Sequence, residues 1–210
     1  SQDFGRMSRL VLSGYYANLV RPLEPIAEWL RSQGYSAEIM DGESDKTLIP
    51  LKGTAVKAGL GWIGKNSMLL NRKYGSFQAL GAIITDVDLG ENYELSRDYC
   101  GSCSSCIKSC PTNAIETSKV LTRKKCLSDM LESDEASIGE IERADFSNYF
   151  FECDICQNIC PWNRSHLSSP LDTPYGRLFN RPELDSLMPL DSLLALDEAA
   201  YNEKLAPIML

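Results

Sequence analysis

Eight cysteines fall into two blocks, and their spacing is the strongest chemical pattern in the chain. The first block has the spacing C-x2-C-x2-C-x3-C-P and consists of Cys100, Cys103, Cys106 and Cys110. The second block has the spacing C-x2-C-x3-C-P and consists of Cys153, Cys156 and Cys160. Cys126 stands alone between them. This is the ferredoxin pattern, in which four thiolates hold each cubane iron–sulfur cluster. The sequence therefore predicts two 4Fe-4S clusters and a role in electron transfer.

The spacing also predicts which cysteines share a cluster. Three cysteines of the first block lie on one tight turn, and a distant cysteine completes their set. That set is Cys100, Cys103, Cys106 and Cys160. The second set is Cys110, Cys126, Cys153 and Cys156. The exchange is expected because the last cysteine of each run begins a segment that points away from its own cluster.

Two other uses of these cysteines stay open from the sequence. Zinc sites group four ligands into independent closed tetrahedra, and cysteine–proline endings are not typical of them. Disulfides require an oxidising compartment, and no secretory signal is visible in the residues given. Both alternatives are weaker than the cluster prediction, and the pattern favours a cytoplasmic protein.

Length and composition set outer bounds on the function. The chain has 210 residues, 43% of them hydrophobic, and no apolar run approaches the length of about 20 residues that a membrane helix needs. The net charge is −8. Residues 1–80 carry 10 basic and 7 acidic side chains, whereas residues 81–210 carry 11 and 22. This acidity counts against strong nucleic-acid binding, which depends on neutralising phosphates.

Elements that could position the cysteines are predicted on either side of them. Alternating elements precede the first block: helices over 21–33 and 48–58, and strands over 36–40, 67–70 and 77–85. Their order favours an α/β layer. A further helix is expected near 138–144, and another over 190–204.

The fold class that follows is α+β or α/β, in three parts. An α/β domain occupies residues 1–95 and is expected to be incomplete at its N-terminus. A ferredoxin-like domain with two clusters occupies residues 96–166. Residues 167–210 form an extended connection and a short helical tail.

A glycine-rich segment, Gly59-Leu60-Gly61-Trp62-Ile63-Gly64, contains the pattern G-x-G-x-x-G. A dinucleotide-binding fingerprint follows a strand and opens a helix, whereas this segment follows a predicted helix and precedes a predicted strand. The order therefore disfavours a dinucleotide site. Glycines here allow a tight turn or the close approach of a flat ligand.

Several motifs together resemble the epoxyqueuosine reductase family. They cover roughly residues 3–165 and comprise A-G-L-G-W-I-G-K-N at 58–66, G-S-F at 75–77, C-G-S-C at 100–103, C-P-T-N-A-I at 110–115 and C-D-I-C-Q-N-I-C-P-W-N at 153–163. The resemblance implies a cobalamin-dependent iron–sulfur oxidoreductase of the bacterial cytoplasm that reduces epoxyqueuosine in tRNA to queuosine. It also implies that cobalamin lies between the α/β domain and the cluster domain.

The resemblance further implies particular site residues. Asp45 is the counterpart of the family's catalytic aspartate and would donate a proton to the opening epoxide. Gly64, Lys65, Asn66 and Ser67 would contact the cobalamin. An equally open alternative is that Asp45 is one of three acids, with Asp41 and Glu43, on a solvated loop.

The sequence departs from the family after Asp45, where residues 48–53 differ from the usual pattern. This departure and the acidic charge weaken the case for tRNA more than the case for the cofactors. We expect a monomer that takes electrons from a ferredoxin or flavodoxin type of donor. The alternatives are an electron-transfer or corrinoid-activating protein without its own organic substrate, and a reductive dehalogenase-like enzyme. His166, the only histidine, is expected to be structural or solvated.

Overall fold

The computed structural model describes residues 6–8, 20–40, 48–90, 94–133, 148–168 and 189–209. Helix α1 spans Glu24–Ser32 and follows a turn in which the Leu23 amide donates to the Val20 carbonyl. Pro25, not Pro22, occupies its first turn, where a missing amide hydrogen costs nothing. Gly34 follows the helix with a φ of 91°, which is the left-handed conformation that ends helices.

A two-stranded antiparallel sheet packs against α1. Strand β2 spans Ala37–Met40 and strand β5 spans Ala82–Thr85, with Ala37 opposite Thr85 and Met40 opposite Ala82. Their shared core consists of the buried residues Ala27, Leu30 and Ala37, with Ile39, Ile83 and Val87 packed against it. The helix and sheet form one α/β layer, as predicted.

Helix α2 spans Leu51–Lys57 and leads into a short hairpin of β3, Trp62–Ile63, and β4, Leu69–Leu70. The helix begins later than predicted because extended Pro50 precedes it. A side chain on Gly61 would overlap the Leu70 carbonyl, so the glycine segment is the tight entry to a hairpin. No helix follows these glycines, which removes the dinucleotide-site alternative for this segment.

The cysteine-bearing part is built from short elements. In chain order they are α3, Ser105–Ser109; β6, Ile115–Thr117; β7, Val120–Leu121; α4, Leu127–Glu132; β8, Tyr149–Phe151; α5, Ile155–Asn158; and α6, Arg164–Leu167. Single 3-10 turns lie at Arg123–Lys125 and Pro161–Asn163. Strand β1, Arg6–Met7, pairs in parallel with β8, so the start of the chain joins this part of the fold.

The C-terminal helix predicted over 190–204 is divided. Helix α7 spans Leu190–Leu194, α8 spans Glu198–Lys204, and α9 spans Ala206–Met209. The break occurs because the Asp197 carboxylate accepts a hydrogen bond from the Ala200 amide at 2.8 Å and starts a new helix. The helix predicted near 138–144 lies outside the described residues. Among the described helices, none combines the length and apolar character that crossing a bilayer requires.

Candidate metal centres

Four of the eight cysteines surround one cavity of about 280 Å³, called here the first cavity. They are Cys100, Cys103, Cys106 and Cys160. The other four surround a cavity of about 260 Å³, called here the second cavity. They are Cys110, Cys126, Cys153 and Cys156. The structure thus brings together the same two sets that the spacing assigns, and none of the eight cysteines forms a disulfide.

Backbone geometry explains why each block sends its last cysteine to the other cavity. Cys110 ends α3 with a ψ of 115°, and Cys160 precedes its 3-10 turn with a ψ of 125°. A proline follows each cysteine, and proline pushes the preceding residue into an extended conformation. Both cysteines therefore leave the helical path of their own block.

Burial raises the pKa of four of these eight thiols. It raises the pKa of Cys153 to about 12, with further contributions from the charges of Cys126 and Asp154. Burial likewise raises the pKa of Cys156, Cys160 and Cys106. Neighbouring thiolates repel one another, so a cation is required to make all four anionic in one cavity. Metal binding supplies that cation and displaces the protons, and the thiol sets fit a bound cluster for this reason.

Two cysteines have a lowered pKa instead. Hydrogen bonding from Ser105 lowers the pKa of exposed Cys103. Burial acts to raise the pKa of Cys110, but hydrogen bonds from the Ile115 backbone and the Thr112 side chain bring it below its usual value. The Ala114 amide also donates to the Cys110 sulfur at 3.3 Å. Such donors stabilise a thiolate whether it is free or bound to a cluster.

Within the described ranges, no three His, Cys, Asp or Glu side chains converge on a position for a single metal ion. The thiols surround spaces of several atomic volumes instead. This arrangement suits a polynuclear cluster, in which each thiolate binds a different iron.

The residues predicted to contact cobalamin lie against the cluster region. The Lys65 ammonium donates to the carbonyls of Gly101 and Cys103, both at 2.7 Å. Asn66 is 4% exposed, lines both cavities and directs its amide nitrogen toward the Cys156 carbonyl at 3.5 Å. A side chain on Gly64 would lie 2.7 Å from the Asn66 Oδ1. Much of this segment therefore shapes the cavities.

Ser67 is the member of this segment whose side chain is still able to form a hydrogen bond. Its φ is 62°, and its buried hydroxyl has no hydrogen-bond partner among the described residues. A buried hydroxyl is costly without a partner. Within the segment Gly64–Ser67, Ser67 is thus the side chain that best fits a contact with an additional bound group. Asp45, the predicted proton donor, lies outside the described residues.

A buried polar network that the sequence analysis did not assign joins the two parts of the fold. Asn163 Oδ1 accepts from the Ser76 amide, and its Nδ2 donates to the Ser76 hydroxyl, each at 2.8 Å. The Ser76 hydroxyl donates to Gln157, which donates in turn to Asp154 at 2.6 Å. A side chain on Gly75 would overlap Asn163 Oδ1. In the sequence, the signal for this network was the presence of two polar residues, Asp154 and Gln157, between the cysteines of the second block.

Two aromatic side chains, Tyr99 and Trp162, form one wall of the first cavity. Trp62 packs edge to face against both, and the three ring centroids lie 5.1–5.9 Å apart. The Arg72 guanidinium lies 5.1 Å from the Tyr99 ring centre. His166 lies in α6, just beyond this wall, and is partly buried.

Comparison with known proteins agrees with this geometry. The family model of the 4Fe-4S double cluster binding domain matches residues 99–163, which contain all eight cysteines. The chain therefore contains a domain of this kind.

Similarity extends beyond the cluster domain. The chain is 44% identical over 110 residues to an epoxyqueuosine reductase of Cyclobacterium marinum, covering 52% of this chain and 36% of that protein. It is 35% identical over 193 residues to an epoxyqueuosine reductase of Synechocystis sp., covering 87% of this chain and 64% of that protein. The chain thus spans between about a third and two thirds of the length of these relatives.

A solved structure shares the fold over almost the whole chain. The crystal structure of an epoxyqueuosine reductase with an epoxyqueuosine-modified tRNA-Tyr stem loop matches with a TM-score of 0.75 and 24% identity. The match covers 99% of this chain and 54% of that one. Over the stretch that it shares with these proteins, the chain belongs to the epoxyqueuosine reductase family.

Proposed function

We propose that this chain is the part of an epoxyqueuosine reductase that holds two 4Fe-4S clusters and one side of a cobalamin site, and that it reduces epoxyqueuosine in tRNA. The observation that carries this proposal is the sorting of eight cysteines into two four-thiol cavities that share Asn66 as a wall. Similarity to named reductases over 193 residues supports the enzyme class.

Each cavity would bind its cluster through its own four thiolates. Cys100, Cys103, Cys106 and Cys160 would hold one, and Cys110, Cys126, Cys153 and Cys156 the other. The clusters supply one-electron transfer when bound. The protein fixes the two cavities relative to each other through Asn66 and through the network of Ser76, Gln157 and Asn163.

Cobalamin would lie against Gly64, Lys65, Asn66 and Ser67, beside the first cavity. The buried Ser67 hydroxyl supports this position because it has no hydrogen-bond partner among the described residues. Lys65 uses two of its three ammonium donors on described groups, the carbonyls of Gly101 and Cys103. When bound, cobalamin supplies the reducing chemistry at the carbon–oxygen bond.

Asp45 would act as the proton donor to the oxygen of the opening epoxide. A carboxylic acid can serve this role near neutral pH when its surroundings raise its pKa. The proposal requires Asp45 to face the cofactor and the substrate. Asp45→Asn would then preserve both clusters and the bound cobalamin but remove turnover.

The substrate and partners complete the proposal. The matching crystal structure contains a tRNA stem loop. Residues 1–80 of the present chain carry 10 basic and 7 acidic side chains, so this part suits phosphate contacts better than the acidic residues 81–210 do. We propose a ferredoxin or flavodoxin type of electron donor and a monomeric protein. A cytoplasmic location suits eight cysteines without disulfides, because that compartment keeps cysteines reduced and able to bind clusters.

The test uses full-length protein purified without oxygen and reconstituted with iron, sulfide and cobalamin. We expect about eight irons and one cobalt per chain, and conversion of epoxyqueuosine-containing tRNA with a chemical reductant. Asp45→Asn is compared with Asp191→Asn, which changes an exposed acid of α7. Bound clusters and cobalamin without turnover of this tRNA would reject the substrate. Clusters without any cobalamin binding would leave an electron-transfer protein.

A further inference from the structure

The first cavity has a cation in its wall. Lys65 is the one charged side chain, apart from the thiols, among its described lining residues. Its ammonium is fixed by hydrogen bonds to the carbonyls of Gly101 and Cys103, in the loop that carries two of the four thiols. In the described ranges, the ion pairs found do not include Lys65, so no described carboxylate pairs with its ammonium.

The second cavity has anions in its wall. Glu152 and Asp154 are the charged side chains among its described lining residues, and no described lysine or arginine lines it. Asp154 is 1% exposed, so water screens its charge poorly. Its carboxylate accepts a hydrogen bond from Gln157, which is itself held by Ser76. The negative charge is therefore held in one place beside Cys153.

The sign of each fixed charge determines how it acts on a cluster in the same cavity. A group that gains an electron is affected in the same sense as a group that loses a proton. Nearby positive charge favours the more negative form, and nearby negative charge disfavours it.

We infer that Lys65 and Asp154 set the two cavities to different reduction potentials, with the higher potential in the first cavity. This inference rests on the proposed function, since it requires a cluster in each cavity. Lys65 favours an added electron in the first cavity, and Asp154 disfavours one in the second. Both are positioning residues that act through charge, and neither is a ligand.

The difference gives electron flow a direction within the chain. An electron delivered to the second cavity moves downhill in free energy to the first. The first cavity borders the segment Gly64–Ser67, where the proposed cobalamin site lies. Asn66 lines both cavities and lies on the path between them.

The test is an EPR-monitored redox titration of the full-length protein, reconstituted without oxygen, after iron per chain has been measured. The wild type should show two reduction steps at separate potentials. Asp154→Asn keeps the size of the side chain and its ability to accept from Gln157, and it should raise the lower step alone. Lys65→Met should lower the upper step alone, and Lys65→Arg should leave both steps unchanged.

Matched controls remove one charge from a residue that lines neither cavity. Asp191→Asn in α7 and Lys57→Gln at the end of α2 should leave both potentials at their wild-type values. An Asp154→Asn protein that contains both clusters and shows unshifted potentials would overturn the inference. A shift of the same step by Asp154→Asn and Lys65→Met would also overturn it. If Lys65→Met loses iron, Asp154→Asn alone decides. Wild-type protein with fewer than two clusters would reject the proposed function instead.

Discussion

The two cavities are lined by equal numbers of cysteines but are assembled in different ways. The first takes three of its four cysteines from a stretch of seven residues, 100–106, and one of them, Cys103, is exposed. The second draws its cysteines from three separate places, and burial raises the pKa of Cys153 there to about 12. The first cavity is therefore largely local in sequence and partly open, whereas the second exists only after the chain has folded.

Removal of Cys126 should produce the largest difference in iron content between the two cavities. Cys126→Ala deletes one thiol of the second cavity and none of the first, so reconstituted protein should lose about half of its iron. The remaining EPR signal should be that of a single cluster. Iron analysis and EPR of anaerobic samples measure both quantities. An unchanged iron content would show that Cys126 is a buried free thiol instead.

A change at Gly75 should damage both cavities together. Gly75→Ala places a methyl group on Asn163 Oδ1 and imposes a side chain at a φ of 61°. Since Asn163 holds the segment that supplies cysteines to both cavities, iron should be lost from both, with a destabilisation of about 2–4 kcal/mol. Chemical unfolding and iron analysis test this.

The matched control for that substitution is Gly34→Ala. Gly34 also has a positive φ, at 91°, but no atom lies within 4 Å of an added side chain. Only the backbone conformation is penalised there, at a cost of about 1 kcal/mol, and iron should stay complete. Equal destabilisation by the two substitutions would argue that the network of Ser76, Gln157 and Asn163 contributes little.

Thiol reactivity in metal-free protein should order the cysteines by pH. The thiolate is the reactive form, so exposed Cys103, with its lowered pKa, should be among the first to be alkylated as the pH rises. Cys153 should react much later, near pH 12, and Cys156, whose pKa burial raises more strongly, later still. The same shift gives the direction in which stability changes with pH. Cys153 loses its proton near its ordinary pKa of 9.0 in the unfolded chain but near 12 in the folded protein. Because deprotonation between these values favours the unfolded chain, metal-free protein becomes less stable as the pH rises from about 9 to about 12.

Mass spectrometry of peptides labelled with iodoacetamide at a series of pH values measures this order. Loaded protein is the control, because thiolates bound to iron should be protected in both cavities. Labelling of Cys153 as fast as Cys103 at about pH 8 in folded, metal-free protein would contradict the assigned difference in burial.

The smallest effect is expected away from both cavities. Asp197→Ala removes the carboxylate that caps α8 and should cost about 1 kcal/mol. Iron content and both EPR signals should remain those of the wild type. Thermal unfolding measures the change, with Asp191→Ala, whose side chain forms no such cap, as the comparison. Loss of iron from Asp197→Ala would mean that the C-terminal helices support the cluster region.

The sequence by itself determined the number of cysteines, their grouping into two sets and the α/β layer before them. Local spacing carries this information, because a C-x2-C turn and a proline that follows a cysteine restrict the backbone within a few residues. The motif resemblance also pointed to the family. Element positions were predicted well where one face is buried, as in α1 and β2, and less well at 77–81 and 190–204.

Tertiary structure decided what these residues contact. Lys65 and Asn66 were predicted as cofactor contacts, which stays a prediction, and the structure adds that their side chains contact the loop of Cys103 and the backbone of Cys156. The pairing of Gly75 with Asn163 and the placement of Lys65 and Asp154 beside different cavities join residues far apart in sequence. No local pattern encodes such contacts, since they arise only when separate segments pack together and exclude water. Residue types thus determined which chemistry is available, and packing decided where each charge and each donor acts.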